Sequence, residues 1–201
     1  MLTAIILTGL LAQTAPGPAP VPAEARAVIH TDRGDIALTL DAARAPVTSC
    51  NFLRYVEAGR YRDARFFRTV VASTNANPHP IDVIQAETTG GSDDPGFGPI
   101  ALERTRDTGL SHLAGTISMA RGGPDSATSS FFIVTQDTPA LDFGGGRNAD
   151  GQGFAAFGRV TSGLDIARAI QASPAEAEQL TPPVKIGSVE MIGQAPAVCR
   201  S

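Results

Sequence analysis

Eight short β-prone segments, each closed off by turn-forming residues, constrain this 201-residue chain more than any other feature. Residues 26–31 and 35–40 flank Asp32-Arg33-Gly34, which has the composition of a hairpin turn. Further strands are predicted over 66–71, 82–86, 115–120, 131–135, 154–160 and 184–192. Strands joined in this way form an antiparallel sheet, and a sheet of that size must close on itself or cover its edges. A closed barrel and a sandwich both satisfy the count.

Two helices complete the pattern. The first is predicted over Val47 to Ala58, with Pro46 suited to the first turn, Gly59 to the C-terminal cap, and Val47, Cys50, Leu53 or Arg54, and Glu57 along one stripe. The second runs from Gly163 to Gln171, with Ser162 as its cap and Leu164, Ala167 and Ile170 spaced for burial. Long loops separate the elements at 72–80, 87–114 and 136–153. The glycine-rich run Asp142 to Gly153 lacks the strand-to-helix setting of a phosphate loop and reads as a mobile surface turn.

A chain of this length supports one core, expected at 24–195 and acting as a monomer, with a short tail at 196–201. Sixteen basic residues against 20 acidic ones give a formal net charge of −4, so the basic footprint of a nucleic-acid binder is missing. Residues 1–23 read as an export signal and Ala/Pro-rich linker: Leu2 to Ala12 is apolar, and Ala15, Ala19 and Ala23 offer small residues for cleavage. That apolar run falls short of the roughly 18 residues needed to cross a bilayer. A periplasmic or secreted product is therefore expected, an uncleaved N-terminal anchor being the alternative. Cys50 reads as a small buried hydrophobe within a helix, and a bridge to Cys199 is open but not derivable. His30, His79 and His112 show no ligand spacing, so neither a metal nor another cofactor is expected.

The chemistry concentrates on a few strands. Strict alternation along residues 66–71 places Phe66, Arg68 and Val70 on one face. Gln85 lies on a second strand and Phe132 on a third, while Ala120-Arg121-Gly122-Gly123-Pro124 offers a flexible backbone ledge.

These segments, in this order, resemble the cyclophilin family of peptidyl-prolyl isomerases over nearly all of 26–192. The resemblance rests on Thr31-Asp-Arg-Gly-Asp-Ile36, Ala45 to Phe52, Gly59-Arg60-Tyr61, Phe66 to Arg68 and Ile84-Gln85. Gly115 to Arg121, Ser129 to Ile133, Leu141-Asp142 and Phe157 to Val160 continue it. It implies a mainly β fold, a closed eight-stranded antiparallel barrel capped by two helices. It also implies catalysis of X-Pro isomerisation in proline-containing polypeptides, without metal or cofactor. By the same resemblance Arg68 and Gln85 would be catalytic, and Val83, Phe132 and Leu141 would hold the prolyl ring. Ala120 and Arg121 would orient the peptide, and Phe66, Ser130 and Phe154 would join the binding surface.

The departures are also specific. Asp82-Val83 stands where the family has Phe-Met, Ala86-Glu87-Thr88 where it has Gly-Gly-Asp, and 72–80 is an insertion. Ser130 replaces a glutamine, Ala140 a tryptophan and Phe154 a histidine. This thinner rim leaves a non-catalytic proline-peptide binder as the alternative function.

Overall fold

The computed structural model of the protein describes residues 24–91 and 95–200. The export signal expected at 1–23 lies outside the described residues.

The chain folds in the order β1 (Glu24–Thr31), β2 (Gly34–Asp41), α1 (Pro46–Glu57), β3 (Ala64–Val70) and β4 (Val83–Glu87). It continues through α2 (Thr105–Thr108), β5 (Thr116–Met119), β6 (Phe131–Val134), β7 (Ala155–Ser162), α3 (Leu164–Gln171), β8 (Ala175–Glu176) and β9 (Gln179–Ile192). The antiparallel sheet runs β1-β2-β7-β5-β6-β4-β3-β9, and β1 pairs again with β9. Eight strands thus close into a barrel, which resolves the barrel-or-sandwich choice, and β8 is a two-residue addition hairpinned onto β9.

Closure sorts the side chains into two sets. Along β4, Ile84 and Ala86 face inward while Val83 and Gln85 face outward. Along β6, Phe131 and Ile133 face in while Phe132 and Val134 face out. The interior is filled by aliphatic residues of β1 and β2 and by an aromatic group in which Phe52 contacts the rings of Tyr61, Phe131 and Phe157. Burial pushes the Tyr61 hydroxyl well above its ordinary pKa, with Tyr55 adding to the effect, and the hydroxyl donates to Ser129 O at 2.7 Å.

One register shift corrects the expected alternation. In the β3–β4 ladder Phe66 pairs with Ala86 and Arg68 with Gln85, so Phe67 is an extra residue in β3. The bulge leaves Phe66 inside the barrel against Phe131, while Arg68 and Val70 turn to the outer face. Phe66 and Arg68 therefore do not share a surface, and Phe66 has no place on the binding side.

The helices also depart from expectation in detail. The buried side of α1 carries Thr48, Ser49, Phe52, Leu53, Tyr55 and Val56, and Val47 is exposed. The stripe expected through Val47, Cys50 and Glu57 is the outer one: Cys50 bonds to Cys199, which joins α1 to a 3₁₀ turn at Ala197–Cys199. Cys50 is thus not a free core hydrophobe, and the bridge ties the Ala197–Cys199 turn to α1. Pro46 occupies the first turn as expected, but the orphan N–H groups of Val47 and Thr48 are capped by the Glu103 carboxylate at 3.0 and 2.8 Å. At α3 the cap is Gly163 at φ 86°, since Ser162 still belongs to β7. A short helix, α2, adds to the two expected. Among the described residues, no helix is long and apolar enough to cross a membrane.

Candidate active site

The outer faces of β3, β4 and β6 contribute to the lining of a cleft of about 350 Å³. Val83, Phe132 and Leu141 line it, with Ile81 and Phe154 beside them, and Phe154 meets Phe132 edge-on at 5.4 Å between ring centres. This apolar floor fits a small saturated ring. A 3₁₀ turn at Pro139–Leu141 brings Leu141 in, and Phe154 N bonds back to Leu141 O at 2.9 Å.

At one end stands Arg68. Its Nη1 donates to Gln85 Oε1 at 3.0 Å, and its Nε and Nη2 donate to Glu178 Oε2 at 3.0 and 2.6 Å. A guanidinium carries five N–H groups, so two remain for a ligand. Gln85 is fixed in turn, because its Nε2 donates to Ser130 Oγ at 3.1 Å and that hydroxyl donates to Ala86 O at 2.7 Å. Ser130 is buried behind Gln85 and does not line the cleft. Its effect on a ligand would pass through the orientation of that amide.

The rim comes from two loops. In the Gly-rich loop Asp150 accepts from Arg121 Nη1 and Nη2 at 2.7 and 2.9 Å, while Arg121 Nε donates to Gly153 O at 2.8 Å. The Arg121 hydrogen bonds hold the Asp150 carboxyl down at about 2, with help from the Gln152 N–H. Arg147 crosses to the 72–80 loop, donating to Asn75 Oδ1 at 2.9 Å and His79 O at 3.2 Å. Burial draws the Arg147 guanidinium below its ordinary value, and the charge on Arg68 adds to this. Gly146 permits the crossing: at φ 84° it favours glycine, and a Cβ there would lie 2.7 Å from the His79 ring. This segment is therefore a tethered rim, and the mobile surface turn expected from its glycines is not what forms.

Under the floor lies a polar relay. His112 Nδ1 donates to Asp142 Oδ1 at 2.7 Å, its Nε2 pairs with Ser118 Oγ at 2.9 Å, and its ring stacks on Phe132 at 6.0 Å. The arrangement has the atoms of a Ser-His-Asp triad. It does not present a nucleophile, because Ser118 and His112 are buried beneath Phe132. It props the ring from behind.

Of the residues expected at the site, Arg68, Val83, Gln85, Ala120, Arg121, Phe132, Leu141 and Phe154 line one cleft. Ser130 backs it and Phe66 lies away from it. Sequence reasoning missed Asn77, Ile81, Arg147 and Asn148 in the lining and Glu178 on Arg68. Asp82, expected to thin the pocket, instead accepts from Ala72 N and Gln171 Nε2 at 3.1 and 3.0 Å. Only Ile81 carries a signal that could have been read, as an apolar residue leading into β4. Among the described residues no group of acidic, histidine or cysteine side chains is arranged to hold a metal.

An antiparallel barrel with an arginine standing over an apolar cleft on its outer face matches one family in particular. The family model of the cyclophilin-type peptidyl-prolyl cis-trans isomerases covers residues 26–191, and the chain belongs to that family. It is 33% identical over 175 residues to peptidyl-prolyl cis-trans isomerase A of Dickeya dadantii, covering 86% of this chain and 84% of the relative. A peptidyl-prolyl cis-trans isomerase of Streptomyces antibioticus is 34% identical over 173 residues, covering 82% and 97%. One from Acinetobacter baylyi is 33% identical over 196 residues, covering 94% of each. A crystal structure of a Cryptosporidium parvum cyclophilin superposes with a TM-score of 0.69 at 20% identity, covering 86% of this chain and 99% of that one, which shows the shared fold. The activity is peptidyl-prolyl cis-trans isomerisation.

Proposed function

We propose that Arg68 drives the reaction by donating a hydrogen bond to the prolyl nitrogen while Val83, Phe132 and Leu141 hold the ring. Amide rotation breaks resonance at a barrier of roughly 18–20 kcal/mol, and in the twisted state the nitrogen regains a lone pair. A permanently charged donor binds that lone pair better than the planar amide, which is the differential binding that lowers the barrier. No nucleophile or acid–base pair is required. Gln85 and the Ala120-Arg121 backbone orient the peptide, and Arg121 and Phe154 frame the rim.

The observation that carries this reading is the fixed guanidinium of Arg68, bonded to Gln85 at 3.0 Å above an apolar floor. Exchange NMR on a short X-Pro peptide tests it. Wild-type chain should accelerate exchange at catalytic concentration, and Arg68→Ala should do so only weakly. Full turnover in folded Arg68→Ala would reject the assignment.

We also propose that the mature chain is a soluble monomer outside the cytoplasm that assists newly exported, proline-containing polypeptides. The Cys50–Cys199 bridge supports it, because such bonds persist in oxidising compartments. Cell fractionation with N-terminal sequencing should find a mature start between about residue 13 and residue 24. An intact Met1 in the cytoplasm would refute export, and an intact Met1 in the membrane would indicate an anchor.

A further inference from the structure

The hairpin between β8 and β9 turns on two residues, Ala177 at φ 47° and Glu178 at φ 69°. Two successive positive φ angles define a tight primed turn, which asparagine and glycine favour and which costs other residues. Glu178 nevertheless occupies the second position, and it is held from three sides. Its backbone carbonyl accepts from Thr69 N at 2.8 Å, next to Arg68 in β3. Its Oε1 accepts from Asn75 Nδ2 at 2.7 Å, and its Oε2 receives both Nε and Nη2 of Arg68. A carboxylate in a strained turn, with both oxygens committed, is a preorganised support.

Arg68 needs such support, because Arg147 lines the same cleft with a like charge while Gln85 offers only a neutral acceptor. We propose that Glu178 is a positioning residue for the isomerase reaction, fixing the plane of the Arg68 guanidinium so that its two remaining N–H groups face the prolyl nitrogen. The inference rests on the assignment of Arg68 above. It gives the strained turn a use: the loop geometry delivers a carboxylate to β3, the strand beside β9 in the sheet and 110 residues earlier in the sequence.

The test uses the full-length oxidised chain and exchange kinetics on one X-Pro peptide. Glu178→Gly removes the carboxylate and relaxes the backbone, so it should lower kcat/KM about tenfold with KM little changed and no loss of thermal stability. Glu178→Gln, which keeps an acceptor without the charge, should fall between Glu178→Gly and wild type. In an Arg68→Ala background, Glu178→Gly should cost nothing further, because the residue acts only through Arg68. The Arg68 Nε–H resonance should broaden or exchange faster in Glu178→Gly. Wild-type turnover in Glu178→Gly, with Arg68→Ala strongly impaired, would overturn the positioning role alone. Equal losses in both backgrounds would show that Glu178 acts independently of Arg68, which also overturns it. Full activity in Arg68→Ala would instead refute the underlying assignment.

Discussion

The barrel interior and the outer cleft share the same strands yet are built on different principles. Inside, Phe52, Tyr61, Phe66 and Phe131 interlock with almost no polar atoms, and volume and shape decide what fits. Outside, Arg68 reaches its place through a bulge, Gln85 is aimed by Ser130, and the rim is tied by Arg121–Asp150 and Arg147–Asn75. The interior tolerates no gap, and the Tyr61 hydroxyl within it finds its partner in Ser129 O. The cleft depends on a chain of directed bonds, each modest in energy and each setting the angle of the next.

Neighbouring phenylalanines on β6 give the sharpest test of this division. Phe131→Ala, inside, should cost about 3–5 kcal/mol of stability, read from denaturant unfolding, while the surviving folded fraction keeps its specific activity. Phe132→Ala, outside, should instead raise KM for an X-Pro peptide. An unimpaired KM in Phe132→Ala would break the contrast.

The next effect in size is the reverse case. Arg68→Ala should lose roughly two to three decades of turnover, on the scale of deleting one transition-state donor. Its unfolding midpoint should barely move, since a solvent-screened ion pair with both side chains about one-third exposed contributes about 1 kcal/mol or less. Arg68→Lys should remain impaired, because a point charge cannot bond Gln85 and Glu178 in one plane.

Ser130→Ala should lower kcat/KM by a few-fold, on the scale of about 1 kcal/mol for one hydrogen bond, since Gln85 Nε2 would lose its acceptor. A loss as large as that of Arg68→Ala would mean that Ser130 contacts the peptide itself.

The smallest effect is expected at acid pH. With its pKa lowered to about 2, Asp150 stabilises the folded rim above the unfolded carboxylate value of roughly 3.9 and loses that contribution as pH falls through about 2. Amide shifts in the Gly-rich loop should therefore change between pH 4 and 2 while those of interior strands do not. Arg121→Gln should move the midpoint upward. A midpoint unchanged by that substitution would separate the loop from its arginine tether.

Legibility in the sequence follows the same division. The strands were readable because burial on one face imposes alternation, and the ordered motifs from Thr31 to Val160 carried the family. Arg68, Gln85 and Phe132 were readable with them. The face of Phe66 was not, because a one-residue bulge leaves the composition of a strand unchanged and only the partner strand reveals it. Glu178 was hidden for a related reason: Ala177-Glu178 lacks the glycine that marks a tight hairpin, so β9 was expected to start near residue 184 rather than at Gln179. Arg147 and Asn75 lie in loops, where no periodicity connects residues that meet only in space.

The pairing of β1 with β9 has a consequence in time. The seam joins residues such as Ile29 and Val189, so the first strand stays an open edge until nearly the whole chain is available. A chain emerging from its N-terminus, from a ribosome or through a membrane pore, cannot complete the barrel early. During that interval the β1 edge is exposed to other extended chains, and the delay is set by the rate of emergence rather than by the barrel's own stability.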